Sequence, residues 1–454
     1  MASSKEQHLT EILGRMYDQM IHIIHESEEN KQKNIILFVG EVYGYMIDAI
    51  KEYEKEAKTT FRIGLIRDTK HKLKVHTKKA IEQVDIDIVC DTKSPPALQK
   101  ALRPHLEEIV AITCRAENRI PTLARVIPHT PYLLTPSSES LRWASDKVQM
   151  RRMLRAYNKD ISPKFMVMEK LTKENMKQVA DVVGFPLIVK PSGLAASRLV
   201  SICYHKEELE EVLKKIFKVV DQVYKDTGGT EEPKVLIEQF MEGNMYSIDA
   251  YVDNVGRVTF CQPVYVKTGK QIGFDDFFGY QQMTPTQLNK ESILMAEFVT
   301  REAIHALGMR NTTAHVELLK TEQGWKIIEL GARIGGFRHK LYENAFGYNH
   351  TINDILIRMG QKPRILKKTK GYSVAMKFFA KDEGFLDKLT GIKKIQELKS
   401  FKKIYINKSI GDTCQYAKNG GSSVFDLIMF NKDRSNLLAD IRRVEQTIKI
   451  ETSK

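Results

Sequence analysis

Short apolar runs alternate with helical stretches in the first third of this chain. The runs cover residues 34–40, 61–66, 86–90 and 109–113, and each has the length of a buried strand. Strands that alternate with helices favour an open, mainly parallel sheet with helices on its faces. The sequence therefore predicts an α/β domain over residues 34–140. The glycines of this domain do not form a GxGxxG motif, so nothing indicates a dinucleotide site.

A segment rich in Pro, Thr and Ser at 128–140 marks the end of this domain. Strand and helix patterns continue beyond it, so the predicted fold class is α/β, with lobes of mixed α+β character. The expected units are an amphipathic N-terminal helix over 1–33, the α/β domain over 34–140, a central domain over 141–370 with a smaller subdomain at 163–243, and a C-terminal lobe over 371–454. Residues 1–33 carry apolar side chains at helical spacing, which is typical of a packing helix and not of a signal peptide.

The net charge is +14, from 71 Lys and Arg against 57 Asp and Glu. Such an excess suits an anionic partner, whether nucleic acid, a surface or a small polyanion. The lysines are spread along the chain, however, and aromatic residues do not interleave with them as they do in single-strand binders. We therefore expect small-molecule partners and not nucleic acid as the main partner.

Two absences in the sequence narrow the class of protein further. No stretch of 18 apolar residues occurs, so neither a membrane span nor a membrane partner is expected. The five cysteines are far apart and form no CxxC pair, which indicates neither a zinc site nor a disulfide framework. A reducing, cytoplasmic setting fits this cysteine usage.

Residues 314–336 carry the strongest candidate site. Two apolar strands joined by a short turn are each interrupted by one glutamate, Glu317 and Glu329. A buried carboxylate is costly unless it is paired or binds a metal. Two carboxylates from neighbouring strands make a hard oxygen site, which suits Mg²⁺. The alternative is a surface hairpin that carries two solvated glutamates.

The residues around this hairpin can contact a ligand. Arg333 follows the second strand, where a guanidinium can clamp a phosphoryl group or a substrate carboxylate. Gly335 and Gly336 let the backbone approach a ligand closely. His315 and His339 lie near the site in sequence, and either can assist an amine, although a structural role is the plainer interpretation.

Two lysines are candidates for binding phosphate. Lys190 ends a buried strand, and a loop of small residues follows it at 192–197. The backbone N–H groups of such a loop can fold over phosphates, whose charge Lys190 would oppose. Lys147 stands in Ser-Asp-Lys at the start of a helix and suits the same role. Either lysine taken alone is more often simply solvated.

A third element, at 237–243, is a strand that runs into a glycine turn. Its backbone donors and acceptors can meet the edge of an adenine ring. Glu238 can help by accepting from the 6-amino group. The plainer alternative for this residue is a glutamate on an edge strand.

In chain order these elements resemble the ATP-grasp superfamily. The order is Asp-Lys147, Val-Lys190-Pro with its small-residue loop, Glu238-Gln-Phe-Met-Glu-Gly, Glu317, and Glu329-x-x-x-Arg333. The similarity spans about residues 140–340, and the flanking segments look like the family's N-terminal and C-terminal lobes. Carbamoyl-phosphate synthetase, biotin carboxylase and D-alanine–D-alanine ligase belong to this superfamily. The Arg-Ile-Gly-Gly ending is most like the L-amino-acid ligases and other carboxylate–amine ligases.

The resemblance implies an ATP site and a metal site. The positions that match the nucleotide motifs are Lys147, Lys190, Ser192, Ser197, Glu238, Phe240, Met241 and Leu319. The two lysines would contact phosphates under a flap formed by 192–197, and the last four residues would surround adenine. By the same resemblance, Glu317 and Glu329 would hold Mg²⁺ or Mn²⁺. Arg333 and Lys190 would be the catalytic cations.

Three departures from the family's pattern bear on this site. The flap holds fewer glycines than in many relatives. Met245 stands where several relatives place a ribose-binding glutamate, and Glu242 is the candidate substitute. Gly331 stands where many relatives have a metal-binding asparagine, which leaves open whether one or two Mg²⁺ ions bind.

The activity that the resemblance implies is that of an ADP-forming ligase. Mg-ATP would activate a carboxylate as an acyl phosphate, and an amine, such as an amino acid or peptide, would then attack it. One alternative is an ATP-grasp enzyme of the carbamoyl-phosphate type, which activates a carboxylate without joining an amine. A second is a nucleotide-binding regulator without turnover. A homodimer stays open.

The region 261–283 is a candidate for the pocket of the second substrate, because aromatic and acidic residues cluster there. The residues proposed to line this pocket are Tyr265, Lys267, Asp275 and Asp276, with Gly335, Gly336 and His339 nearby. The alternative is a loop that only packs.

Overall fold

In the computed structural model, the described residues are 33–70, 75–192, 199–227 and 234–454. The amphipathic helix predicted for the N-terminus lies outside them, apart from its last position. Most of the predicted flap loop, including Ser197, also lies outside them.

The first sheet is parallel throughout. Its elements are β1 (Ile35–Val39), α1 (Gly44–Ala57), β2 (Arg62–Asp68), α2 (Val75–Ala80), β3 (Ile86–Cys90), α3 (Pro95–Leu102) and β4 (Ile109–Thr113). The strand order is β3-β2-β1-β4, so the predicted open α/β sheet is confirmed. The winding direction reverses between β1 and β4, and α/β sheets bind ligands at the loops that follow such strands.

Helices lead from the first sheet to the second. They are α4 (Ile120–Val126), α5 (Ser138–Ser145) and α6 (Lys147–Tyr157). Asp146 caps α6, because its carboxylate accepts from the backbone N–H of Val148 at 2.8 Å. The cap fixes Lys147 in the first turn of this helix.

The second sheet is antiparallel and lies within the subdomain predicted at 163–243. Its elements are β5 (Phe165–Met168), α7 (Lys173–Val182), β6 (Leu187–Pro191), β7 (Ser201–Cys203), α8 (Lys206–Thr227) and β8 (Val235–Gln239). The strand order is β5-β8-β6-β7. Both helices pack on this sheet through apolar residues such as Val179, Leu213 and Val189.

The central sheet begins directly after β8. The strands of its first part, with the helices that connect them, are β9 (Asn244–Val252), β10 (Val258–Phe260), β11 (Val264–Thr268), β12 (Gly279–Thr284), α9 (Lys290–Ala306), β13 (Thr312–Thr321), β14 (Gly324–Gly331), α10 (Arg338–Phe346) and α11 (His350–Arg358). The C-terminal segment adds β15 (Tyr372–Phe378), β16 (Gly384–Thr390), α12 (Ile392–Gln396), β17 (Phe401–Ile406), β18 (Thr413–Cys414), β19 (Phe425–Asn431), α13 (Arg434–Thr447) and β20 (Lys449–Ser453).

The central sheet runs across the predicted boundary at 370/371. Its order is β14-β13-β9-β11-β12-β15-β19-β17, with β10 on β9, while β18-β16-β20 forms a separate sheet. Met283 on β12 lies opposite Val374 on β15. The C-terminal segment therefore extends the sheet that carries the candidate site, and the boundary itself stays a prediction.

Within the part of the chain that the structure describes, no helix combines the length and apolar character needed to cross a membrane. The five cysteines are all described, and each is buried and unbonded to another cysteine.

Candidate active site

Glu317 and Glu329 are direct partners across the antiparallel strands β13 and β14. On its other side Glu317 lies opposite Ser247 of β9, so β13 is an interior strand of the central sheet. Side chains opposite each other in a sheet point to the same face, and each of the two glutamate side chains is 32% exposed. The predicted strand–turn–strand is confirmed, and the pair of carboxylates belongs to a large sheet instead of an isolated surface hairpin.

Lys147 binds the second carboxylate. Its Nζ lies 3.1 Å from Glu329 Oε1, and the lysine is buried. Burial acts to lower the pKa of Lys147, but Glu329 outweighs it and the pKa is raised. Burial likewise acts to raise the pKa of Glu329, and Lys147 and Lys190 outweigh it, so this pKa is lowered. Both groups of the pair are therefore charged.

Lys190 and Arg151 bind Glu238 from two sides. Glu238 Oε2 lies 2.6 Å from Lys190 Nζ, and Glu238 Oε1 lies 2.5 Å from Arg151 Nε. Arg151 Nη2 also donates to the carbonyl oxygen of Ile328 on β14 at 2.6 Å. Burial acts to raise the pKa of Glu238, but the two cations lower it to about 2. Burial lowers the pKa of Lys190.

This ion pair changes the interpretation of Glu238. Its strand β8 lies between β5 and β6, so it is not the edge strand of the plainer alternative. Both oxygens of the Glu238 carboxylate are paired with cations. We therefore expect backbone atoms of the following residues, instead of this carboxylate, to contact the adenine amino group. Sequence reasoning missed Arg151, although it lies one helical turn after Lys147, at a spacing that puts both on one face.

The floor of the predicted nucleotide cleft is apolar. Leu319 lies opposite Met245, and both share the face of Glu317 because side chains alternate along a strand. The backbone N–H of Phe240 is used by the carbonyl of Pro186 at 3.1 Å. Met241 is partly exposed and Glu242 is exposed. The adenine and ribose contacts proposed for these residues stay predictions.

Ser192 lies at the base of the flap. It is buried, its Oγ lies 3.3 Å from the hydroxyl of Tyr224, and its carbonyl accepts from the backbone N–H of Lys147 at 3.4 Å. The start of the flap therefore contacts α6, the helix that carries Lys147.

A buried network of hydrogen-bonded side chains contacts Glu317. His315 Nε2 lies 3.5 Å from Glu317 Oε1, and His315 Nδ1 lies 2.6 Å from Asp249 Oδ1. Asp249 Oδ2 accepts from the backbone N–H of Gly335 at 2.7 Å and lies 2.8 Å from His350 Nε2. Burial acts to raise the pKa of Asp249, but His315 outweighs it and the pKa lies well below its usual range. Sequence reasoning found His315 but missed its partners, which lie far apart in the chain.

Arg333 is paired with a residue of the first domain. Its Nε lies 2.5 Å from Oε2 of Glu117, and its Nη1 donates to the carbonyl of Ile334 at 3.1 Å. Glu117 was not a candidate from the sequence. Gly335 is needed for packing, since a Cβ there would lie 2.5 Å from His315 Nδ1, whereas a Cβ on Gly336 would meet nothing within 4 Å.

Tyr265 and Lys267 lie apart from the glutamate pair, and their proposed role toward a substrate stays a prediction. Tyr265 lies opposite Tyr246, and its neighbour Val266 lies opposite Met245 on the face of the glutamates. Alternation along β11 therefore places Tyr265 and Lys267 on the other face of the sheet. There they line a cavity of about 460 Å³ against α13.

Asp275 and Asp276 have partners within the protein, which favours the packing alternative for this loop. Asp276 is buried, and its carboxylate accepts from the backbone N–H groups of Phe278 at 3.3 Å and Lys418 at 2.9 Å. Asp275 pairs with the Lys418 ammonium. These acids anchor the β11–β12 loop to the C-terminal segment, so the alternative of a packing loop fits better.

His339 lies where the first sheet meets α10. Its ring stacks on Tyr45, with centroids 4.1 Å apart. Burial lowers the pKa of His339 well below its usual range, so the ring is neutral. Its proposed role toward a substrate stays a prediction.

The donor set fits a hard cation that also binds phosphate. Among the described residues, no group of three or more His, Cys, Asp or Glu side chains is arranged to hold a metal. Glu317 and Glu329 supply two carboxylates, with Lys147 and Lys190 beside them. Mg²⁺ is usually bound by one or two carboxylates and by phosphate oxygens of the substrate, so the pair fits Mg²⁺ together with a nucleotide.

Residues 183–340 match the model of the ATP-grasp domain family. The match covers the central part of the chain, and the fold agrees with the ATP-grasp fold that the sequence predicted.

Individual proteins show the same relationship. The L-amino acid ligase of Bacillus licheniformis superposes with a TM-score of 0.71 at 16% identity, over 93% of this chain and 100% of that one. The biotin carboxylase domain of the Hydrogenobacter thermophilus 2-oxoglutarate carboxylase, solved with MgADP and bicarbonate, gives 0.62 at 16% identity, over 92% and 91%. The alanine–anticapsin ligase of Bacillus subtilis is 26% identical over 205 residues, which are 43% of this chain and 42% of that protein. The chain spans about half the length of the curated relatives it matches.

Proposed function

We propose that this protein is an ADP-forming ligase that activates a carboxylate with Mg-ATP as an acyl phosphate and joins it to an amine. The observation that carries the proposal is the direct pairing of Glu317 with Glu329 beside the buried cation Lys147. The amine is proposed to be an amino acid or a peptide. The similarity to an L-amino acid ligase and to an alanine–anticapsin ligase supports this choice.

In this proposal each group has one task. Glu317 and Glu329 hold Mg²⁺, which supplies positive charge to the transferred phosphoryl group. Lys147 and Lys190 oppose the charge of the phosphates from the other side, and Arg333 orients the substrate carboxylate. Phosphoryl transfer depends mainly on positioning and on electrostatic stabilisation, so this arrangement needs no protein nucleophile. Transfer of the γ-phosphoryl group to the carboxylate releases ADP, and attack by the amine then releases phosphate.

The test is a screen of phosphate release from Mg-ATP with pools of amino acids and other carboxylates. Release that requires two compounds together is the expected result. Release with one carboxylate alone, bicarbonate included, would favour activation without ligation. Tight ATP binding without release in any pool would contradict the proposal and favour a nucleotide-binding regulator. Glu329→Gln serves as the inactive control, and Lys267→Ala, on the other face of the sheet, as the matched active one.

A further inference from the structure

Glu117 reaches the candidate active site from the first domain. It begins the short helical turn Glu117–Arg119, which follows β4. Its Oε2 lies 2.5 Å from Arg333 Nε, and the two side chains are only 21% and 19% exposed. Water screens a pair at this depth less than it screens a pair on the open surface.

The carboxylate of Glu117 occupies the space that a side chain at position 331 would need. A Cβ built on Gly331 would lie 2.8 Å from Glu117 Oε2 and 3.5 Å from its Cδ. The backbone of Gly331 is not left-handed, so any residue could adopt its conformation. A Cβ at position 331 would therefore push the end of the Glu117 side chain away from its present place, so Gly331 matters for space and not for its backbone freedom.

The guanidinium of Arg333 is held at Nε and Nη1. Nη1 donates to the backbone of Ile334, and Nε pairs with Glu117. The second contact lacks hydrogen-bond alignment, since Glu117 Oε2 has no hydrogen-bond partner among the described residues. Neither contact uses Nη2. Because a guanidinium is planar and rigid, these two contacts leave the N–H groups of Nη2 for an anionic ligand.

Glu117 also acts on Lys147. Its charge acts on the buried Lys147 ammonium, after that of the directly paired Glu329. One carboxylate from the first domain thus offsets positive charge on two cations of the site before any anion binds.

We propose that Glu117 is a positioning residue that holds Arg333 for the substrate carboxylate, and that Gly331 leaves the room in which the Glu117 carboxylate reaches Arg333. The inference rests on the proposed function for the identity of the ligand of Arg333. It also makes the first domain part of the catalytic machinery.

The positioning role is tested by steady-state kinetics. Glu117→Gln keeps the size of the side chain and removes its charge, so the KM for the carboxylate substrate should rise about tenfold. The KM for ATP should rise less than the KM for the carboxylate, because Lys147 and Lys190 keep their direct partners Glu329 and Glu238. Glu117→Asp should recover part of the loss. An unchanged KM for the carboxylate, or an equal rise in both KM values, would overturn the positioning role.

The steric exchange is tested without any turnover, by a double-mutant cycle in urea unfolding. Gly331→Ala should displace the Glu117 carboxylate from Arg333, so its cost in stability should depend on Glu117 and fall to at most half when it is combined with Glu117→Ala. Additive effects would overturn the exchange. Gly44→Ala is the matched control, since a Cβ there meets nothing within 4 Å.

The two experiments separate the two proposals. If no pool of substrates releases phosphate, the proposed function fails, while the unfolding cycle still decides the exchange between Glu117 and Gly331. If turnover is present and the cycle is additive, the exchange fails while the function stands.

Discussion

Glu317 and Glu329 stand opposite each other on β13 and β14, and Lys147 Nζ lies 3.1 Å from the second of them. Two carboxylates alone would repel each other at this spacing. The buried lysine relieves that repulsion on one side, and a bound cation would relieve it on the other. The pair therefore suits a ligand that combines positive and negative charge, such as a metal ion bound to a nucleotide phosphate.

Replacing either glutamate by glutamine should remove activity without unfolding the protein. Glu317→Gln and Glu329→Gln keep the size of the side chain and remove one anionic oxygen donor. We expect turnover to fall by about 100-fold or more, beyond the loss typical of groups that only support a metal ligand. Phosphate release measured against Mg²⁺ concentration checks this, with circular dichroism as the folding control. Full turnover at ordinary Mg²⁺ concentration in both variants would exclude the pair as the metal site.

Glu238→Gln should destabilise the fold strongly. The substitution leaves the buried cations Lys190 and Arg151 without their counter-charge, and breaking a buried pair in this way costs about 3–5 kcal/mol. Asp87→Asn is the matched control, because it breaks the more exposed pair with Arg67 and should cost less than about 1 kcal/mol. Urea unfolding measures both. Equal losses in the two variants would contradict a special role for Glu238.

The carboxylate of Glu238 should also make the free energy of unfolding depend on pH. The pKa of Glu238 is about 2 in the folded chain against an ordinary 4.5, so the unfolded chain takes up its proton first as pH falls. Its contribution is complete above about pH 5 and is lost as pH falls from there toward 2. The free energy of unfolding should decrease in this window, and less steeply in Glu238→Gln than in the native chain. Parallel pH profiles for the two proteins would show that Glu238 is not the group responsible.

Residues of the β11–β12 region should affect structure and not amine binding. Lys267→Ala and Asp275→Ala should change the KM for the amine by less than about twofold, because Lys267 lies on the face of the sheet opposite Glu317 and Asp275 is paired with Lys418. Asp276→Asn should lower the thermal midpoint, since its carboxylate holds two backbone N–H groups. A large rise in the amine KM with Asp275→Ala would restore the original substrate prediction.

The sequence pattern was sufficient wherever the relevant residues are close together along the chain. Alternating apolar runs predicted the first sheet, and the hairpin of Glu317 and Glu329 was found because a glutamate interrupts each strand. Arg151 was within reach of the same reasoning, at one turn from Lys147. The face on which Tyr265 lies could not be predicted, because the parity of β11 relative to β13 is set by pairing through β9, which a single strand does not reveal.

Contacts between distant segments could not be predicted. Glu117 and Arg333 come from distant segments of the chain, and Asp249, His315 and His350 lie on separate elements. None of these pairs has a spacing that marks it in the sequence. The glycine at 331 can be recognised in the sequence as a departure from the family's pattern. The Glu117 carboxylate that lies beside it can be identified only from the structure.

The most direct test of the proposed chemistry is an isotope experiment on the released phosphate. The carboxylate substrate found by the screen is labelled with ¹⁸O in its carboxyl group, and the phosphate formed in the presence of the amine is analysed by mass spectrometry. If an acyl phosphate forms, one carboxyl oxygen leaves with the phosphoryl group, so the phosphate carries one ¹⁸O. Phosphate without label, formed while the amide product accumulates, would contradict activation of the carboxylate by phosphoryl transfer.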